Sequence, residues 1–192
     1  MRFDKDEFVE QCLAAVRSGD RSQVAVRDIV ARAVSEPSVL EAAVRPWSES
    51  PMMTVWHRSD EFTALHIVWP PGVDLLAHNH NMWAVIGIYG GREDNTFYRL
   101  RDDGRIEPNT GRTLQRKDVI ALGSDVVHSV ANPTREWTAA VHVYGGEFFT
   151  TPRTMWGKDT LEPIPLDTDY LQASLEAAAA RARLADQPGE AP

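Results

Sequence analysis

Three histidines have the residue type and spacing of ligands for one metal ion. His78 and His80 stand two residues apart inside Gly72–Gly91, an apolar run with the character of a β-strand, and His128 follows farther along the chain. Alternate side chains leave a strand on the same face, so the backbones of His78 and His80 lie roughly 6–7 Å apart. Two imidazoles at that separation can bind one ion, and imidazole suits Fe, Zn, Cu and Ni alike.

The elements that must position these histidines are short strands. Runs rich in β-branched and aromatic residues are divided by turn signals such as Pro70-Pro71-Gly72, Gly90-Gly91 and Asp102-Asp103-Gly104, without helices between them. This pattern indicates a β-sandwich or barrel rather than an α/β fold, and Gly90-Gly91 and Gly145-Gly146 predict hairpin turns. The predicted strands are Met52–His57, Phe62–Trp69, Trp83–Tyr89, Asn95–Arg101, Arg112–Leu114, Asp118–Ala121, His128–Ala131 and Trp137–Tyr144.

Helical patterns lie on either side of the strands. Asp4, with Glu7 three residues later, predicts the start of a first helix, Val24–Val34 a second, and Pro37 the first turn of a third that ends near Arg45. An Ala-rich helix is predicted over 170–184, with a frayed tail at 185–192. We expect one structural domain: an N-terminal helical segment at 1–50, a β-barrel at 51–160 and a C-terminal extension at 161–192.

Composition excludes several classes of protein. The chain has 192 residues, of which 43% are hydrophobic and 25% charged, with a net charge of −8. That charge argues against a nucleic-acid or anionic-membrane binder, since both need a dense positive face. Cys12 is the only cysteine, so no intrachain disulfide can form. With no apolar run long enough to span a membrane and no leader, we expect a cytoplasmic protein, either a monomer or a homodimer.

The order and spacing of certain residues resemble the first motif of the cupin superfamily. The matching residues are Gly72, His78, His80, Ala84 and Gly91. Ala84 stands where the motif usually has a metal-binding glutamate.

A second stretch resembles the second cupin motif. It comprises Leu122-Gly123, His128 and Asn132, with one extra residue before the histidine and without the usual proline before the glycine. The two motifs together cover roughly residues 52–150. The resemblance implies a mainly β fold, the cupin double-stranded β-helix or jelly-roll barrel, preceded by helices and followed by a C-terminal helix.

Within the cupins, the missing glutamate makes the chain similar to the cysteine dioxygenase family of thiol dioxygenases, which uses three histidines alone. Phe62–His80 resembles that family's strand, turn and metal-binding strand, and Ala140–Tyr144 its Ser-His-Tyr strand with alanine in place of serine. The resemblance implies Fe(II) on His78, His80 and His128, with positions open to a substrate thiolate and to O2. Zn, Ni and Cu remain alternatives to iron as the bound metal.

The resemblance also implies a catalytic role for Tyr144, which would donate a hydrogen bond to oxygen or substrate beside the iron. His142 shares a strand face with Tyr144, and it either orients the tyrosine or occupies a polar place in the core. His57 and His66 are expected to be structural. A cysteine–tyrosine crosslink, found in some members of the family, is not expected here.

Substrate-binding residues are predicted less directly. A carboxylate on the substrate needs a guanidinium. The resemblance makes Arg58 the first candidate, because it precedes the strand that begins at Phe62 as the carboxylate-binding arginine precedes the matching strand in cysteine dioxygenases, although the loop between them is shorter here; Arg92 and Arg153 are rivals. Met82 and Trp83 follow the metal pair and are the expected walls of the pocket. The tryptophans close to the motifs are Trp56, Trp69, Trp83 and Trp156; one or two of them in an apolar pocket would indicate a substrate bulkier than cysteine.

Three functions remain open from the sequence. The first is an Fe(II)- and O2-dependent enzyme that oxidises a small thiol to its sulfinate. The second is a metal-dependent cupin oxygenase acting on a small molecule that is not a thiol. The third is a non-catalytic cupin that binds a small molecule and uses its metal structurally.

Overall fold

A computed structural model describes residues 2–19, 22–44, 46–50 and 52–185. The helices are α1 (Lys5–Val16), α2 (Ser22–Ser35), α3 (Pro37–Glu41) and α4 (Thr168–Ala185), with a short 3-10 helix at Trp47–Glu49. The strands are β1 (Met53–Arg58), β2 (Thr63–Trp69), β3 (Asp74–Asn79), β4 (Ala84–Gly90), β5 (Arg92–Leu100), β6 (Ile106–Gln115), β7 (Val119–Leu122), β8 (Val127–Ala131), β9 (Thr138–Tyr144), β10 (Thr154–Trp156) and β11 (Pro163–Pro165).

The strands form two antiparallel sheets. One has five strands in the order β1-β2-β9-β4-β7, and the other has six in the order β11-β10-β3-β8-β5-β6. Successive strands alternate between the sheets from β2 to β5 and from β6 to β10, in the manner of a jelly roll. The fold is the cupin double-stranded β-helix, with helices before and after it, as the sequence predicts.

The three central strands of the five-stranded sheet are buried on both faces. Every residue of β2, β4 and β9 is buried, and alternate side chains contribute to two different clusters. Leu65, Ile67 and Ile86 belong to the core between the sheets, whereas Val85 and Val141 join the cluster formed with α1 and α2. A strand buried on both sides needs a continuous apolar run, and these segments have one.

The N-terminal helices cover the outer face of that sheet. Asp4 caps α1, because its side chain accepts hydrogen bonds from the backbone N–H groups of Asp6 and Glu7 at 2.9 and 3.1 Å. Within α2, Val26, Val30 and other buried residues face the sheet. Among the described helices, none is long and apolar enough to cross a membrane.

Helix α2 approaches the sheet most closely at Gly87 of β4. A Cβ atom built on Gly87 would lie 2.5 Å from Val30 Cγ1 and 2.9 Å from Val34 Cγ1. The absence of a side chain at this position is therefore what lets the helix lie against the strand.

Most predicted elements are found, with differences at their ends and in two connections. The third helix ends at Glu41, and two short strands, β10 and β11, are additional to the prediction. The chain beyond Ala185, where a frayed tail is predicted, and Arg45 lie outside the described residues. The hairpins predicted at Gly90-Gly91 and Gly145-Gly146 are wrong, because the chain passes from one sheet to the other at both places. β4 and β9 pair with each other in the five-stranded sheet, whereas β5 and β10 belong to the six-stranded sheet.

Substituting Gly87 tests the contact between α2 and the sheet. We expect Gly87→Ala to lower the free energy of unfolding by about 1–3 kcal/mol, because the added methyl group overpacks a filled interface. The change in the free energy of unfolding is measured by urea denaturation, with circular dichroism as the signal. Gly123→Ala is the matched control, since a Cβ there meets nothing within 4 Å; equal losses in the two variants would contradict the proposed close approach.

Candidate metal centre

His78, His80 and His128 come together between the two sheets, with one potential ligand atom from each lying within 4.8 Å of the other two. His78 in β3 is the antiparallel partner of His128 in β8, and His80 follows directly after β3. The ring centroids are 4.8–5.2 Å apart. Among the described residues, this group contains no carboxylate, and Ala84, at the position of the usual glutamate, is fully buried in β4.

The distance between two of the imidazoles fits a shared ion. His128 Nε2 and His80 Nε2 are 3.5 Å apart. Two nitrogens each about 2.0–2.1 Å from one ion lie roughly 2.9–3.4 Å apart for bond angles between a right angle and tetrahedral. A small contraction of the site would therefore bring both nitrogens to bonding distance.

Backbone and side-chain acceptors set the orientation of two of these rings. His78 Nδ1 donates to the carbonyl of Leu76 at 2.9 Å, and His128 Nδ1 donates to the side-chain oxygen of Asn95 at 2.7 Å. With the proton on Nδ1, the lone pair of Nε2 is free to bind a metal. Both histidines thus present the same ring nitrogen to the centre.

A buried carboxylate stands behind His128. Asn95 Nδ2 donates to Glu93 Oε1 at 2.9 Å, and Trp69 Nε1 donates to Glu93 Oε2 at 2.8 Å. Glu93 is fully buried, and no Lys or Arg in the described part of the chain forms an ion pair with it. Burial raises the pKa of this carboxyl, and the hydrogen bonds from Asn95 and Trp69 oppose the rise. Glu93 and Asn95 were not singled out from the sequence, where the predicted strand begins only at Asn95; the observed β5 begins at Arg92, so the two side chains lie on one face.

The imidazoles are neutral at physiological pH. Burial lowers the pKa of His78 to about 4, and burial together with the neighbouring histidines lowers those of His80 and His128 well below the usual range. A neutral imidazole is the form that binds a metal. The residues present therefore fit a metal ion held by three neutral nitrogen ligands.

Tyr144 and His142 lie beside the three histidines and are hydrogen-bonded to each other. His142 Nδ1 and the Tyr144 hydroxyl are 3.0 Å apart, and the rings of Tyr144 and His80 have centroids 5.1 Å apart. Burial lowers the pKa of His142 to about 3, so its ring carries one proton at neutral pH. Nε2 of His142 is buried without a partner among the described residues. Since one proton serves the bond between them, the pair retains one further donor: either the Tyr144 O–H or the His142 Nε2–H.

The three histidines open into a cavity of about 650 Å³. Its inner end is formed by the histidines with Tyr144 and Phe148, and much of the remaining lining is apolar, including Trp69 and Leu75. Ligand pockets for drug-sized molecules measure roughly 300–1,000 Å³. Of the tryptophans considered from the sequence, Trp69 lines the cavity.

Arg153 lines this cavity close to the histidines. Its guanidinium lies over the ring of Phe148 at 4.0 Å from the centroid, and its Nε is buried without a hydrogen-bond partner in the described ranges. Burial lowers its pKa, while Tyr144 and Glu147 oppose the shift. A buried guanidinium with a free donor is suited to bind an anion from the cavity side.

Arg58 and Arg92, the other arginines considered from the sequence as substrate-binding residues, lie outside the cavity lining. Arg58 is half exposed at the end of β1, where it donates to Glu147 at 2.7 Å and stacks over Phe149, outside the cavity lining. Arg92 forms a bidentate ion pair with Asp94 and also lies outside the cavity lining. Each of these two arginines forms an ion pair with a carboxylate that lies outside the cavity lining.

Met82 and Trp83 are also absent from the cavity lining. Met82 is buried within the core between the sheets, whereas Trp83 packs with the cluster under the N-terminal helices, close to Gly145. The backbone of Asn81 has a positive φ of 55°, and the turn there directs the following residues away from the strand alternation on which the prediction depended. His57 and His66 lie outside the metal group, as expected; His66 bonds the Tyr89 hydroxyl at 2.5 Å.

The single cysteine lies far from this chemistry. Cys12 is fully buried in α1, within the cluster between the helices and the sheet. Burial raises the pKa of its thiol to about 12. Ala84, not a cysteine, pairs with Tyr144 across β4 and β9.

Comparisons with known proteins add only general likenesses. A scan against models of known protein families finds no match. Similar solved structures include an uncharacterized conserved protein with a double-stranded β-helix domain from Klebsiella pneumoniae (15% identity, TM-score 0.46, covering 60% of this chain and 87% of that one) and an RmlC-like cupin from Shewanella frigidimarina (18%, 0.39, 49% and 74%). A structure of oxalate oxidase matches at 12% identity and a TM-score of 0.44, covering 74% of this chain and 75% of that one. Likenesses this remote carry no information about activity, and the fold assignment rests on strand order and pairing.

Substituting Asn95 tests the support behind His128. We expect Asn95→Ala to weaken Zn(II) or Co(II) binding about tenfold to a hundredfold, because His128 loses the acceptor that holds its proton on Nδ1. Competition titration with a chromophoric chelator measures the dissociation constant. Asn109→Ala, at an exposed position of β6, is the control; unchanged metal affinity in a folded Asn95→Ala protein would show that the bond does not position the ligand.

The carboxylate of Glu147 accepts hydrogen bonds from Arg58 and from the backbone of Phe149 and Thr150, and so stabilises the loop that carries Phe148. The stability of the protein should therefore depend on the ionisation of Glu147. Hydrogen bonds from Thr150 and Arg58, in that order, lower the pKa of Glu147 from 4.5 to about 2. Its stabilisation is therefore complete above pH 4.5 and is lost as the pH falls towards 2. We expect Glu147→Gln to lower the melting temperature at pH 6–7. The difference in melting temperature from wild type should disappear as the pH falls from 4.5 to about 2.

Glu162→Gln provides the comparison for that pH series. Glu162 is an exposed carboxylate paired with Arg105 on the surface, and surface pairs contribute little to stability. A gap in melting temperature that stays constant down to pH 2 in Glu147→Gln would contradict the role assigned to this carboxylate.

Proposed function

We propose that this protein is a non-haem Fe(II)-dependent dioxygenase that oxidises a thiol to its sulfinate with O2. The observation that carries the proposal is a buried group of three neutral histidines without a carboxylate ligand, next to a Tyr–His pair and an arginine with an unused donor. The substrate is a small molecule, and neither a nucleic acid nor a membrane takes part.

The reaction is balanced without a further reductant. Sulfur is oxidised and dioxygen is reduced, and both oxygen atoms end on sulfur. Fe(II) would supply redox activity and open coordination positions at His78, His80 and His128. Because these ligands are neutral, the ion keeps its full positive charge, which favours an anionic thiolate as the incoming group.

The protein contributes a proton donor and a dry environment. The hydrogen bond between His142 and Tyr144 leaves one donor of the pair unused, and burial of both side chains strengthens its interaction with developing negative charge on oxygen. Tyr144 stays protonated, since burial raises the pKa of its hydroxyl. It can therefore donate a hydrogen bond without losing its proton.

Arg153 is the residue that we propose binds an anionic group of the substrate. It replaces Arg58, the first candidate from the sequence, because its guanidinium lines the cavity and Arg58 does not. Stacking on Phe148 holds the guanidinium plane in place. A carboxylate near the thiol would then be fixed at one end and the sulfur at the other.

The direct test is anaerobic reconstitution with Fe(II), followed by measurement of oxygen uptake over a panel of thiols. We expect uptake with 3-mercaptopropionate or a related thiol carboxylate, and mass spectrometry should find a gain of two oxygen atoms on sulfur. We further expect Arg153→Met to raise KM for 3-mercaptopropionate about tenfold to a hundredfold, because a charge-assisted hydrogen bond is lost.

Cysteamine, a thiol without a carboxylate, separates recognition from catalysis. Arg153→Met should leave the turnover of cysteamine unchanged. Arg92→Met should leave the turnover of both cysteamine and 3-mercaptopropionate unchanged. No oxygen uptake with any thiol at full iron loading would exclude thiol oxidation, and a product oxidised at carbon would instead support an oxygenase acting on a non-thiol.

A further inference from the structure

The cavity is elongated, because one face of α4 lines it for most of the helix length. The lining residues of α4 include Thr168, Leu171, Leu175, Ala179 and Arg183, at intervals of three or four residues that share one face. At 1.5 Å per residue, Thr168 to Arg183 spans about 22 Å. We call the space between this face and the sheets the α4 cleft.

The α4 cleft begins near the metal centre. The backbone N–H of Leu166, just before α4, donates to the carbonyl of Arg153 at 3.1 Å, and the N–H of Asp167 contacts Met155 Sδ. Met155 is the strand partner of His78. The residues that lead into α4 are thereby attached to Arg153 and to the strand that follows it, β10, which pairs with the metal-binding strand β3.

The other end of the cleft lies toward the opposite end of β9. Ala179 and Ala182 pack with Val68 and Trp137, and Met52 packs against the same cluster. Trp137 directly precedes β9, whereas Tyr144 ends it. Since a seven-residue strand is about 20 Å long, the helix runs beside the sheet from the metal end to this distant end.

The cleft is mostly apolar along its middle, where Gln172 and Glu176, hydrogen-bonded to each other, are the polar lining residues. Leu171 and Leu175 of α4 pack against the core between the sheets, and they face a lining that includes Ile67, Trp69 and Met52. Arg153, the proposed anion-binding group, is at the metal end, and Arg183 lines the opposite end. An occupant that matches this distribution has its polar part beside the metal and an apolar part extending from it.

We propose that the substrate is an elongated amphipathic thiol, with the thiol and a carboxylate at the metal and Arg153, and an apolar chain or ring system lying beneath α4. This inference rests on the proposed thiol oxidation and deepens it. A thiol as small as cysteine fills only the inner end of a cavity of about 650 Å³ and leaves apolar side chains in water. An apolar tail covers those side chains and gains the free energy of their burial.

The test uses a series of 2-mercaptoalkanoates, from mercaptoacetate through 2-mercaptohexanoate to 2-mercaptooctanoate. Binding to the Zn(II)-loaded protein is measured by isothermal titration calorimetry, which needs no turnover, and kcat/KM is measured with the Fe(II)-loaded protein. We expect Kd to fall about threefold to fourfold for each added methylene while the tail remains within the cleft.

Leu175→Trp and Ala177→Trp form the matched pair of variants. Leu175 faces the cleft, whereas Ala177, on the same helix, is exposed and outside the lining. Leu175→Trp should abolish the gain in affinity with chain length and leave mercaptoacetate within about twofold of wild type, because the indole fills the space of the tail. Ala177→Trp should retain the full dependence on chain length.

Two results would overturn the inference: a Kd that does not change with chain length in the wild-type protein, or equal effects of the two tryptophan variants. The wild-type series answers the question even if Leu175→Trp does not fold. Failure of the proposed function is distinguishable, since the Fe(II)-loaded protein would then take up no oxygen with any thiol while the Zn(II)-loaded protein still bound longer thiols more tightly.

Discussion

The site depends on one constraint, the burial of both faces of the three central strands of the five-stranded sheet. Helices cover one face, and the second sheet with the cavity covers the other, so each residue of β9 has a fixed side. His142 and Tyr144 face the cavity, whereas Val141 and Val143 face the helices. A shift of one residue would exchange these pairs, placing two polar groups under the helices and removing them from the metal centre.

Electrostatic balance is the second requirement of the centre. Three neutral imidazoles leave the charge of a divalent ion uncompensated by its ligands, while Glu93 is a buried carboxylate without an ionic partner in the described part of the chain. Asn95 connects the two, since it bonds both Glu93 and His128. A bound divalent ion would favour the charged form of Glu93 across this short bridge, and a charged Glu93 would in turn favour the ion.

The sequence predicts the parts of the site that depend on strand alternation and motif spacing. His78, His80 and His128 follow from those rules, as do the strands that carry them, because local patterns are enough to determine them. Whether Arg58 or Arg153 reaches the cavity depends on contacts between residues distant in sequence, such as the ion pair that holds Arg58 to Glu147. The cleft beneath α4 is missed for the same reason: the helix itself is predictable, but its docking position is not.

Isolation of Cys12 has a consequence for any chemistry directed at sulfur. The chain's own thiol is sealed beneath α1, and burial keeps it protonated with a pKa of about 12. It cannot compete with an incoming thiolate for the metal, nor be consumed as an unintended reactant. The native protein should also react very little with thiol-specific reagents. The concentration of an added thiol can therefore be measured with such a reagent while the protein is present.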